Sequence, residues 1–337
     1  MTDKEPPPMT RLLRRAVLVT ASLAISLTLA AGTASASPII AVGDISPPPT
    51  DAANVNDHAV AALIRQHNPS DLLLVGDIQY QLGRYEEYTN PFGYLEPGGF
   101  GDADLVAKSI PISGNHDAMV TNRPYLDGLR RFFGERGRPG VGSSYWSFDR
   151  DAIHYVILDS NCGSWANSPS CAGGSAQVNW LKADLAASNA RCVIALFHHP
   201  YRSSSAPFDG TFNEAHTSAS LWSQMVVGGV TAVINGHNHA EEILRPMRTQ
   251  GNVDQDSGPG DGDDGLAGIR TFIAGGGGSF LLPYTAVHPQ STYRANKYGF
   301  LKLVPNSTRT GFAAGFKYTD GTTSTTTAYG CVHRHGL

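Results

Sequence analysis

The sequence predicts a layered α/β domain with mixed β-sheets. Three observations carry this expectation. Short apolar runs alternate with amphipathic stretches as far as Ile243, the pattern turns strand-like beyond it, and no fixed-period repeat or linker divides residues 37–337.

Pro38–Val42 reads as a buried strand that ends at Gly43-Asp44. Asn54–Gln66 reads as a helix, with Val55, Ala59, Ala62 and Leu63 on one face. Asp71–Val75 is a second strand, ending at Gly76-Asp77, and Ser109–Ser113 a third, ending at Gly114-Asn115-His116-Asp117. Tyr145–Phe148 and Ile153–Leu158 form neighbouring strands, and Ala176–Ala187 a helix. Cys192–Phe197 is a strand that ends at His198-His199-Pro200. Leu221–Val227 is helical, and Thr231–Ile234 is a strand that ends at Gly236-His237-Asn238-His239. Strands follow at Ile269–Ala274, Phe300–Val304, Thr310–Tyr318 and Thr323–Val332. Between them, Asn252–Gly265 is a Gly/Asp-rich loop. Its aspartates lack the glutamate that closes an EF-hand, so a solvated loop is preferred to a calcium site. Gly275–Gly278 reads as a bend between strands, since no Lys-Ser/Thr follows to make a phosphate cradle.

With 337 residues, 41% apolar and 16% charged, the chain can bury a full core and is not of disordered composition. A net charge of −4 and a pI near 6.3 give no basic field to attract nucleic acid.

The first 36 residues read as a signal peptide. Arg11, Arg14 and Arg15 precede an apolar run from Ala16 to Ala31, and Ala34-Ser35-Ala36 offers small residues for cleavage after Ala36. The apolar run is short and broken by Thr20, Ser22, Ser26 and Thr28, which argues against a spanning anchor. Secretion is therefore expected, by the general or, given Arg14-Arg15, the twin-arginine route, with no stable membrane insertion afterwards. In an oxidising compartment the four cysteines read as two disulfides, and no Cys-x-x-Cys pair speaks for zinc. Cys162 and Cys171 bracket a short Gly/Ser/Pro loop and are natural partners, which leaves Cys192 with Cys331. Four cysteines permit three connectivities, and sequence does not select among them.

The polar clusters all stand at the C-terminal ends of predicted strands, where α/β sheets hold side chains rigidly together. They are Asp44, Asp77 with Tyr80, Asn115 with His116, His198 with His199, and His237 with His239. Singly, each has an ordinary structural reading as a turn, a cap or a core histidine. Five in succession, all at strand ends, do not. Aspartate, histidine and amide oxygens are ligands of hard or borderline metals, and an aspartate can bridge two cations about 3.5–4 Å apart, as in phosphoryl-transfer sites.

The ordered set Asp44, Gly76-Asp77-Ile78-Gln79-Tyr80, Gly114-Asn115-His116-Asp117, His198-x-Pro200 and Gly236-His237-Asn238-His239 resembles the calcineurin-like metallophosphoesterases, closest to their purple acid phosphatase branch. The resemblance implies a single catalytic domain over residues 37–337, a four-layer αββα sandwich of two mixed β-sheets flanked by helices. It also implies a hydrolase of small phosphate esters with two metal ions. Asp44, Asp77, Tyr80 and His239 would bind the first metal, ferric iron for a phenolate ligand such as Tyr80. Asp77 would bridge to the second, zinc, manganese or ferrous iron, completed by Asn115, His198 and His237. His116 would face the substrate as the catalytic acid or base. A phosphomonoesterase is the leading expectation. The alternatives are a phosphodiesterase acting on nucleotides, cyclic nucleotides or lipid head groups, and a non-catalytic binder of metal or phosphate. The chain departs from the family pattern twice: Ser46 stands where a glycine or histidine is usual, and Pro207 and Phe208 stand where a further histidine is usual, with His199 or His216 as unaligned substitutes.

Overall fold

In the computed structural model the described residues are 1–2, 37–48, 56–119, 123–137, 143–150, 152–204, 219–248 and 268–331. The acidic loop at 252–265, His216, Pro207 and Phe208, and the leader apart from its first two residues lie outside them.

The strands are β1 (Ile39–Val42), β2 (Asp71–Val75), β3 (Ser109–Ile112), β4 (Trp146–Arg150), β5 (Ile153–Ile157), β6 (Cys192–Leu196), β7 (Ala232–Asn235), β8 (Glu241–Met247), β9 (Ile269–Ala274), β10 (Ser291–Ala295), β11 (Gly299–Pro305), β12 (Gly311–Tyr318) and β13 (Thr327–Gly330). The helices are α1 (Asn56–His67), α2 (Tyr85–Tyr88), α3 (Ala103–Val106), α4 (Asn115–Ala118), α5 (Asp127–Phe133), α6 (Ala176–Ala187) and α7 (Ala219–Val227).

Two mixed sheets result. The first runs β13-β12-β11-β1-β2-β3 and the second β10-β8-β9-β7-β6-β5-β4. In the first, β1, β2 and β3 are parallel and the C-terminal strands join antiparallel; in the second, β5, β6, β7 and β9 are parallel. The parallel strands are mostly apolar because both of their faces are buried, as in Ile39–Val42 and Cys192–Leu196. In β1, Ile39 and Ala41 enter the core between the sheets with Leu73, Ile194, Phe272 and Phe316, while Ile40 and Val42 face Val60, Ala61 and Ile64 of α1. Val193, Ala195 and Val233 face Leu181 and Leu185 of α6 and Trp222 and Met225 of α7. The layers are thus helix, sheet, sheet, helix. Ser175 caps α6, its Oγ accepting from the Val178 amide. Both disulfides form with the pairing Cys162–Cys171 and Cys192–Cys331.

Several elements differ from the sequence reading. Two strands were not anticipated, β8 starting at Glu241 and β10 at Ser291, and the last strand is shorter, Thr327–Gly330. The short helices α2, α3 and α5 were also unanticipated. They carry too few residues for a periodic signal; α2 is held by its own cap, Glu87 Oε2 accepting from the Arg84 amide, and by Tyr88 donating to Asp117 at 2.6 Å.

Candidate metal centre

Four of the site residues sit in sharp turns just beyond their strands. Asp44, Asp77, His237 and His239 all hold positive φ, at 58°, 49°, 72° and 41°. These left-handed conformations turn the side chains back over the strand ends toward one point. The glycines before them make room. Gly76 has φ of 90° and lies against His198, and a side chain on Gly114 would collide with Asp77 Oδ1.

The eight residues expected to bind metal or act on the substrate lie together. The Tyr80 hydroxyl lies 3.1 Å from Asp44 Oδ1, 3.1 Å from Asp77 Oδ2 and 2.9 Å from His239 Nε2. Asp44, Asp77 and His239 form one group of donors within 4.8 Å of one another, and Asp77, His198 and His237 form another. Asp77 belongs to both. Asn115 joins the second, its Oδ1 3.0 Å from His237 Nδ1. His116 sits beside them, its ring 4.4 Å from that of Tyr80, its amide donating to Asp77 Oδ1 and its Nδ1 2.7 Å from the Gln81 carbonyl.

The histidines are oriented from behind. His198 Nδ1 meets the Val75 carbonyl at 2.9 Å and His239 Nδ1 the Phe280 carbonyl at 2.6 Å. A proton on each Nδ1 donates outward and leaves the Nε2 lone pair facing the carboxylates. His198 Nε2 lies 3.2 Å from Asp77 Oδ2 without hydrogen-bonding geometry.

Electrostatics mark the point as one built for positive charge. Asp44, Asp77, Tyr80 and His198 are all buried. Burial, and then the Asp77 charge, push Asp44 well above the usual carboxylate range, partly offset by His198. Burial opposes ionisation of Asp77 too, but His198, His116 and His237 hold it below that range. Burial and the two carboxylates raise the Tyr80 phenol. His198 is brought up to about 9, with burial opposing the charge and Asp77 and Asp44 favouring it, while burial lowers His239 to about 4. The repulsion between these buried acceptors is relieved only by protons or by cations, and the carboxylate, phenol, imidazole and amide donors are those of hard or borderline metals. The residues therefore fit a pair of metal ions.

Three further residues had no role in the sequence reading. Asp117, fully buried, accepts from the Gly114 and Ile78 amides and from Tyr88, tying together the loops after β2 and β3. Gln79 accepts from the Tyr94 amide and donates to Pro47. Asn161 donates to the Gly114 carbonyl and to Tyr125. Asp117 and Gln79 had a sequence signal only in their places within the Asn-His-Asp and Gly-Asp-Ile-Gln-Tyr runs, and Asn161 had none. Ser46 is turned away from the centre and donates to Asp57 Oδ2 at 3.2 Å. His199 packs behind His237, ring centroids 4.4 Å apart, with its Nδ1 2.8 Å from Ser160 Oγ.

The family model of the calcineurin-like phosphoesterases matches residues 37–241. No curated protein matches the sequence significantly. Among solved structures, the purple acid phosphatase PPD1 from yellow lupin (Lupinus luteus) seeds is similar at 17% identity and a TM-score of 0.64, over 88% of this chain and 54% of that one. This chain thus spans about half of the lupin protein. GAP50, the anchor in the inner membrane complex of Plasmodium, is similar at 14% identity and a TM-score of 0.62, over 88% and 90% of the two chains. PhoD is similar at 12% identity and 0.57, over 88% and 70%. These likenesses show the sandwich fold, two mixed sheets between helices. The family match takes in more than half of the sequence, and the chain belongs to the calcineurin-like phosphoesterases, which are metal-dependent phosphoesterase hydrolases.

Proposed function

We propose that this chain is an exported phosphomonoesterase of the purple acid phosphatase type. The observation that carries the reading is Tyr80, whose hydroxyl stands within 3.1 Å of Asp44, Asp77 and His239 at once. In this reading Asp44, Asp77, Tyr80 and His239 hold a ferric ion, and Asp77, Asn115, His198 and His237 hold zinc, manganese or ferrous iron. Bound there, the two cations would supply a hydroxide near neutral pH and neutralise charge on the phosphoryl oxygens.

The chain's own residues do the rest. Asp77 spans the two donor groups and fixes their separation. The Val75 and Phe280 carbonyls hold His198 and His239 in the ligating orientation. The Gln81 carbonyl holds His116 Nδ1, which presents Nε2 to the ester and its leaving oxygen as acid or base. Export rests on the arginine-led leader and on two disulfides, which persist in oxidising compartments. Among the described residues no helix is long and apolar enough to cross a membrane.

The test is to load the protein with iron and zinc, count metals per chain, and assay p-nitrophenyl phosphate against bis(p-nitrophenyl) phosphate. Two metals, faster turnover of the monoester and a visible phenolate-to-iron band lost in Tyr80→Phe are expected. An active iron-loaded protein with no such band removes Tyr80 from the first metal. A faster diester reaction removes the monoesterase assignment.

A further inference from the structure

Among the described residues two phenylalanines, Phe92 and Phe280, are more than half exposed, and Phe280 is the one beside the candidate metal centre. Large aromatic side chains gain most by burial, yet Phe280 is 51% exposed. Its exposure does not come from a loosely held backbone. The Ser279 amide donates to the Asp44 carbonyl at 3.0 Å, the Leu282 amide donates to the His239 carbonyl at 3.1 Å, and the Phe280 carbonyl meets His239 Nδ1 at 2.6 Å. Three hydrogen bonds within four residues fix the position of Phe280 against two of the proposed metal ligands. The ring itself lies on His239, with centroids 4.5 Å apart and planes at 44°.

The His239 imidazole therefore spans the wall of the centre. Its Nε2 edge meets Tyr80 and Asp44 inside, at 2.9 and 3.3 Å, and its face meets Phe280 outside. A phosphoryl group held at cations bound by these inner donors would send its ester oxygen, and whatever that oxygen carries, out toward solvent. An aryl group attached directly to that oxygen is short, flat and apolar. It matches a fixed, half-exposed phenyl ring one imidazole away. A small aliphatic alcohol offers no such face.

We infer that Phe280 is a platform for the leaving group, and that the site selects phosphate monoesters of phenolic alcohols over those of small aliphatic ones. This rests on the phosphomonoesterase reading above. Contact between two aromatic rings of this kind contributes roughly three- to tenfold in affinity. The contact exists before the ester bond breaks and persists through the transition state. It is thus uniform binding, felt in KM and not in kcat.

The experiment compares the metal-loaded protein with Phe280→Ala and Phe280→Trp, using two non-hydrolysable ligands and two substrates. Calorimetric titration should show phenylphosphonate binding roughly three- to tenfold tighter than methylphosphonate. That gap should close in Phe280→Ala and survive in Phe280→Trp. KM for phenyl phosphate should rise by the same factor in Phe280→Ala with kcat little changed, while KM for ethyl phosphate responds less than twofold. A gap that persists in Phe280→Ala overturns the inference. So does a parallel weakening of both phosphonates with loss of bound metal, which would make Phe280 mere packing for His239. Should the unaltered protein hydrolyse neither ester, the phosphomonoesterase reading fails, and the phosphonate titration still decides the role of Phe280.

Discussion

The two disulfides close loops of very different length, and this sets their unequal worth. Cys192 opens β6 in the second sheet and Cys331 follows β13 at the edge of the first, so this bridge ties the two sheets together across 139 residues of chain. Cys162–Cys171 spans only 9. If cross-links act by restricting the unfolded chain, the long loop contributes about 5 kcal/mol at 25 °C for a separation of 139, and the short one about 2.6 kcal/mol for 9. Local structure adds to the difference. β13 is a four-residue edge strand, mostly exposed, and Cys331 is its last anchor, with the amide donating to the Thr310 carbonyl at 2.8 Å. Without the bridge, β13 should fray before the rest of the sheet. The assay is guanidinium unfolding of two double variants, Cys192→Ala/Cys331→Ala and Cys162→Ala/Cys171→Ala, with amide exchange followed over 327–330. The first variant should lose about 2 kcal/mol more than the second and show early exchange of β13. Equal losses, or a larger loss in the second, would refute the loop-length reasoning.

Asp77→Asn should hold at most one metal per chain and lose at least about 10³-fold in kcat, since one carboxylate serves both donor groups; metal analysis beside the rate checks this. His116→Ala should keep both metals yet fall roughly 10²–10⁴-fold in kcat, and an unchanged rate would take His116 out of the reaction. His154 is buried between two carboxylates, Asp149 at 2.8 Å and Asp184 at 2.9 Å, which outweigh its burial and raise its pKa. A folded pKa above the unfolded value gives stability that is complete below pH ~6.5 and is lost as pH rises through the folded value. His154→Gln should therefore cost more stability at pH 5 than at pH 9, measured by denaturant unfolding at both.

The central strands were legible because burial on both faces leaves little but apolar residues in them, as in Asp71–Val75 and Cys192–Leu196. The site was legible for a different reason: polar clusters that are ordinary singly recur at five strand ends in succession. β8 was hidden by Glu241 and Glu242, two glutamates buried at the start of a strand that has no apolar run to mark it. β10, with the sequence Ser-Thr-Tyr-Arg-Ala and half-buried side chains, lacks the alternation that marks a strand. Asp117 was the instructive case. Its residue type and motif allow a ligand, a cap or a turn. Only the folded chain shows that its carboxylate is taken up by two amides and a phenol.

The fold alone does not say whether such a chain catalyses anything. Two structures of nearly equal likeness, at TM-scores of 0.64 and 0.62, are described as a phosphatase and as an anchor. The distinction has to come from what the strand ends hold and what it costs to hold it. Here Asp44, Asp77, His237 and His239 keep left-handed backbones that disfavour non-glycine residues by about 1–3 kcal/mol each. Two buried carboxylates and a buried phenol are also crowded onto one point. A scaffold gains nothing from that arrangement, whereas bound cations offset it. Stability and metal should consequently be coupled: at free metal a thousandfold above its Kd, each site adds about 4 kcal/mol to unfolding. Chelation should lower the thermal midpoint, and adding back iron together with zinc or manganese should restore midpoint and turnover together. A chelated protein that unfolds at the same temperature as the loaded one would mean that the strain and buried charge at these strand ends serve something other than metal.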